Sequence, residues 1–132
     1  MVILDNDTRW NSQYNSIKRS LQLRERINTF CARHTSEISK NILTDDDWNH
    51  LNELYLSLEP FFNVTQSIQG KAGNGQQGSI WEWLPAVETL LRVMEDQIET
   101  HRANGSTTSW IAQAHQRAWE LLTKYYEMSD NC

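Results

Sequence analysis

The sequence predicts an all-α protein, an antiparallel four-helix bundle of long, partly kinked helices. Three observations predict it. Apolar residues recur at three- and four-residue steps over four separate stretches. Helix-start residues stand in front of each stretch. No alternating strand pattern occurs beyond Val2, Ile3 and Leu4, which allows at most a vestigial N-terminal strand. The expected organisation is a single helical domain over 1–132, with a junction at 1–9 and helices over about 10–33, 45–69, 80–104 and 109–127.

For the first helix, Thr8 or Asn11 can cap the free amides of the opening turn. Tyr14, Ile17, Leu21, Leu23, Ile27, Phe30 and Cys31 fall near helical spacing. Arg19, Arg24, Arg26 and Arg33 lie largely off that stripe, which gives the helix a basic outer side. Thr35 to Leu43 reads as a polar connection ordered by Ile38 and Ile42. The second helix has the clearest start: Thr44 as N-cap, acids next to the positive end of the helix dipole, and Asp47 in the capping-box position. Its core face is Trp48, Leu51, Tyr55, Leu58 and Phe62, widened by Leu54, Phe61 and Ile68. Pro60 falls inside and should bend the helix or split it near Glu59.

Residues 70–78 hold four glycines and read as a flexible loop. Their order does not fit a phosphate-binding loop, so the loop is a hinge without chemistry. Ser79 and Glu82 form a capping pair for the third helix. Its seam is Ile80, Leu84, Val87, Leu91, Met94 and Ile98, with Pro85 in an early turn and a stop near Asn104-Gly105. Thr108 or Ser109 can cap the fourth helix, whose apolar face is Ile111, Ala114, Ala118, Leu121, Leu122 and Tyr125.

With 132 residues and 39% hydrophobic residues, the chain can bury one core without disulfides or a structural metal. Its longest apolar runs span a few residues, so no transmembrane segment and no signal peptide is expected. That makes the chain intracellular, Cys31 and Cys132 free thiols, and the sequons at Asn6, Asn63 and Asn104 of little weight. The net charge of −5 is unevenly spread: residues 1–40 carry +3 and residues 41–132 carry −8. Nucleic acid, if met at all, is met by the first helix.

Few residues carry candidate chemistry. Asp45, Asp46 and Asp47 could hold Mg²⁺, but consecutive helical residues point apart, and acids at a helix start serve the dipole. His34, His50, His101 and His115 have no i, i+4 partner and read as surface residues. No metal and no cofactor is expected. The sharpest pair is Arg9-Trp10. In one reading Trp10 anchors the first helix and Arg9 pairs with Asp5 or Asp7. In the other, the indole stacks on an unpaired base while the guanidinium holds a phosphate.

The stretch Asp5-Asn6-Asp7-Thr8-Arg9-Trp10-Asn11-Ser12-Gln13-Tyr14 resembles the signature of hAT-family DNA transposases, above all the fungal type, at the junction between their RNase-H-like core and an all-helical insertion domain. Weaker similarity continues through Leu23-Arg24-Glu25-Arg26-Ile27, Asp46-Asp47-Trp48, Leu58-Glu59-Pro60-Phe61-Phe62, Leu84-Pro85 and Ala118 to Leu122. The resemblance implies that Arg9 and Trp10 are DNA-end residues. It also implies that the three catalytic acids of the family lie before and after this stretch, so that the chain alone is not an enzyme. What is expected is a non-catalytic insertion-domain fragment, either an isolated domain or a truncated, domesticated remnant, that is nuclear if the transposase-like role is retained. The alternative is a helical protein-protein interaction or dimerisation module with no DNA role, placed in the cytoplasm.

Overall fold

A computed structural model describes residues 10–69 and 80–130, apart from the side chains at 10, 69, 80–82, 129 and 130. Every regular element among them is helical: α1 (Trp10–Gln22), α2 (Arg24–Arg33), α3 (Thr35–Ile38), a single 3-10 turn (Ser39–Asn41), α4 (Asp45–Gln69), α5 (Ile80–Ala103) and α6 (Trp110–Asp130). The expected junction and its vestigial strand at 1–9, and the glycine loop at 70–78, lie outside the described residues. The chain forms two compact units, Met1–Glu59 and Pro60–Cys132.

In the first unit the basic helix is divided. At Leu23 the backbone turns to φ −98°, ψ 6°, and its amide is shared between the carbonyls of Arg19 and Ser20 at 3.1 Å each. That is the bridge region, where an α-helix tightens and changes direction. No glycine or proline announces the break. The connection after α2 is also more regular than a polar loop, since α3 and the 3-10 turn fill most of it. Ile38 is half-buried, while Ile42 stays 38% exposed.

The start of α4 is a reciprocal capping box. The Thr44 amide donates to Asp47 Oδ2 at 2.8 Å, and the Asp47 amide donates to Thr44 Oγ1 at 3.2 Å. These contacts, led by the Thr44 hydroxyl, hold the Asp47 carboxyl below its ordinary range. Pro60 neither bends α4 into two elements nor ends it. The carbonyl that loses its donor belongs to Leu56, which is 54% exposed, so water can replace the missing amide.

In the second unit α5 and α6 form an antiparallel hairpin. The Trp119 indole donates to Glu95 Oε1 at 3.1 Å, and the Tyr126 hydroxyl donates to Glu88 Oε1 at 3.0 Å. Seven residues forward on α6 thus match seven residues back on α5. The turn between them begins with Gly105 at φ 67°. Its amide reaches the Arg102 carbonyl at 3.2 Å and the Ser106 amide reaches the His101 carbonyl at 2.9 Å, the double closure that a left-handed residue permits at a helix end. Ser109 Oγ then accepts from the Ala112 amide at 3.3 Å and caps α6.

The hairpin core is Val87, Leu90 and Met94 with Ile111, Ala112 and His115. On α5 the expected Val87 and Met94 are buried and Leu91 and Ile98 half-buried, with Leu90 added, whereas the face of α6 departs from the periodicity expected. Leu84 is 41% exposed, and on α6 Leu121 and Tyr125 are 43% and 61% exposed, while His115 takes a core position. Pro85 sits within an unbroken α5.

Candidate nucleic-acid interface

Arg9 and the side chain of Trp10, the two residues expected to meet DNA, lie outside the described residues. The backbone of Trp10 opens α1, and the turns that follow are tied down firmly. Asn11 is half-buried, with an Oδ1 that has no hydrogen-bond partner among the described residues. Tyr14, one turn beyond Trp10, is 1% exposed. Its ring stacks on that of Tyr55 at 5.1 Å between centroids and 17° between planes. The two tyrosines also share a hydrogen bond, and the Tyr55 hydroxyl donates to Glu59 Oε1 at 3.3 Å. Burial first, then the bond to Tyr55, pushes the Tyr14 hydroxyl above the ordinary phenol range. Side chains four apart on a helix share a face. Holding Tyr14 therefore fixes the first turns of α1.

A second clamp fixes α2 against the start of α4. Trp48 is 1% exposed, and its indole N–H donates to Asn28 Oδ1 at 3.2 Å. The Arg24 guanidinium lies 5.5 Å from the Trp48 ring centroid and pairs with Asp45 Oδ1 at 2.7 Å. Arg24 is thus committed to structure, although its position in the sequence placed it on the basic outer side. Among the described residues of this unit the exposed Lys and Arg side chains are Lys18, Arg26, Arg33 and Lys40. Of the three consecutive acids, Asp45 turns to Arg24 and Asp47 turns back to Thr44. Among the described residues no group of three His, Cys, Asp or Glu side chains is placed to hold a metal ion.

The family model for the ZBED1 RNase-like helical domain, which is hAT-related and transposase-derived, matches residues 1–56. Over that stretch the chain is similar to a hAT-like helical domain. The matched segment contains Arg9, Trp10, Tyr14, Trp48 and Tyr55, and it ends three residues before the boundary of the first unit. The motifs from Leu58 onward lie beyond it. Comparison with curated proteins and with solved structures gives no match. Among the described residues no helix is long and apolar enough to cross a membrane.

Outside the hAT-like segment, the hairpin brings together two residues that the sequence left scattered on the surface. His101 Nε2 and His115 Nδ1 are 3.2 Å apart, and His115 is 4% exposed. One imidazole donates to the other, in the direction that their tautomers set. Local spacing cannot reveal them, because the two residues lie fourteen apart on opposite arms of the hairpin.

Burial, reinforced by His101, lowers the pKa of His115 below its ordinary 6.5. The folded state therefore binds fewer protons than the unfolded chain, and the stability this contributes is present above pH 6.5 and lost as pH falls below it. Urea unfolding at a series of pH values checks this. The wild type is expected to weaken through the imidazole range, and a His115→Gln variant is expected to lose most of that slope. An equal slope in the variant would assign the effect to another group.

Proposed function

We propose that this chain is a non-catalytic helical insertion-domain segment of hAT-like transposase type, and that it binds DNA ends through Arg9 and Trp10. The observation that carries the reading is the match over residues 1–56, which spans that pair. The anchoring of Tyr14 and the exposed Lys18, Arg26, Arg33 and Lys40 support it. They give an anchored first turn of α1 and four exposed cations within the first unit. A base stacked on an indole gains about 1–3 kcal/mol, and the adjacent arginine adds a phosphate contact. The antiparallel four-helix arrangement belongs to the same proposal, with α5 and α6 as one of its pairs, as does a nuclear location.

Fluorescence anisotropy with hairpin and flap DNA at low and moderate salt tests the reading. Binding is expected to weaken with salt, because phosphate contacts release counterions. Trp10→Ala is expected to reduce it about 5- to 150-fold, the equivalent of one stacked base. Arg9→Ala should weaken binding and flatten the salt dependence.

A second reading, a helical protein-protein interaction module in the cytoplasm, is favoured by one observation. Leu121 and Tyr125 stand four residues apart on α6 and are both well exposed. Absence of DNA binding together with a stable dimer in sizing experiments would decide for it.

A further inference from the structure

Near the turn of the α5–α6 hairpin an open cleft of about 350 Å³ lies between Ile98 and Arg102 on one side and Gln113 and Arg117 on the other. That volume falls at the lower end of the range of small-molecule sites, about 300–1,000 Å³. Two guanidinium groups line the cleft against one carboxylate, that of Glu120. Glu120 is occupied: its Oε2 accepts from Arg117 at 3.1 Å and its Oε1 from Gln116 at 3.3 Å. Arg102 forms no ion pair or hydrogen bond through its side chain with any described residue. His101, tied to His115, makes a fixed part of the wall.

We propose that this cleft binds a single oxyanion, the carboxylate or phosphate group of a small molecule, on Arg102, the one guanidinium of its lining that Glu120 does not compensate. The planar fork of a guanidinium matches both anions with two parallel N–H donors. Ile98 and Ala112 offer an apolar wall to the carbon part of the ligand. An adjoining groove that shares Arg102 and Gln116 is lined by Glu95 and Glu99, so the anion is held by short-range guanidinium contacts and not by the overall field of a chain whose net charge is −5.

The test is a two-dimensional ¹H–¹⁵N NMR titration of the full chain with inorganic phosphate and, separately, with acetate, both at constant ionic strength. Saturable shifts confined to the cleft are expected with at least one of the two. Saturation with phosphate alone identifies the phosphate source, and saturation with acetate alone the carboxylate source. Arg102→Gln should reduce affinity at least about tenfold, as expected for loss of a charge-assisted bidentate contact. Arg102→Lys, which keeps the charge but not the fork, should fall between them. Arg92→Gln, on the same helix outside the cleft, should bind as wild type. Shifts that chloride reproduces, or wild-type affinity in Arg102→Gln, would overturn the proposal. No DNA enters this titration and no cleft residue lies within 1–56, so its outcome is independent of the DNA-end reading.

Discussion

Trp48→Ala is expected to destabilise the first unit by about 3–5 kcal/mol, the usual cost of truncating a fully buried aromatic side chain. Three losses combine. The buried apolar surface of the indole disappears, and a cavity remains that helix backbones cannot readily fill. Asn28 Oδ1 loses the indole donor at 3.2 Å. Arg24 loses the ring beneath it and keeps only its pair with Asp45, whose side chain is 90% exposed. An ion pair so open to water contributes about 0–1 kcal/mol, so it cannot hold α2 in place alone. Trp48→Phe separates the parts. It keeps most of the volume and removes the N–H donor, and should cost about 1–2 kcal/mol. Chemical denaturation followed by far-UV circular dichroism reads both. A loss below about 1 kcal/mol for Trp48→Ala would show that this tryptophan does not hold the core.

Features whose cause is local were legible from the residues. Thr44 and Asp47 stand three apart, and their capping box needs nothing beyond the first turn of α4. The same is true of Ser109, and of Gly105, where the left-handed backbone closes α5. The half-buried face of α4 also followed its periodicity, because Leu51, Tyr55 and Leu58 lie on one side of a long helix.

What was not legible depends on partners remote in sequence. The periodicity of α5 marks a broad apolar arc, and only the packing of α6 decides that Leu90 is buried while Leu84 is exposed. On α6 the core position given to His115 turns Leu121 and Tyr125 outward. A histidine fits there because His101 supplies the second ring, a pairing that no local pattern encodes. The break at Leu23 has the same origin. Its residues have ordinary helix propensity, and the turn immediately precedes Arg24 and Asn28, which are fixed by Trp48 and Asp45 on α4. At Pro60 helix α4 runs on, yet the boundary between the two units falls between Glu59 and Pro60.

The candidate interface divides along the same line. Arg9 and Trp10 are proposed from their order in the sequence, whereas the anchoring of Tyr14 by Tyr55 is a property of the fold. That anchoring predicts the second large effect. Tyr14→Ala removes a side chain that is 1% exposed, its stack on Tyr55 and the hydrogen bond between them, and is expected to cost about 3–5 kcal/mol. Tyr14→Phe keeps the stack and deletes only the hydroxyl. It should cost about 1–2 kcal/mol, since the half-buried Tyr55 hydroxyl is then left with Glu59 alone. The pair of variants also tests whether position at the start of α1 matters for binding. If Trp10 needs a fixed helix end, Tyr14→Phe retains DNA affinity, and Tyr14→Ala loses it under conditions where the remainder of the chain is still folded. Hydrogen exchange at α1 amides against those of α5 makes that distinction, because loss confined to α1 identifies local release of the helix. Equal DNA affinity in Tyr14→Ala and wild type, with α1 amides exchanging freely in the variant, would show that binding does not depend on an ordered α1 and would remove the structural support for Arg9 and Trp10 as a preformed site.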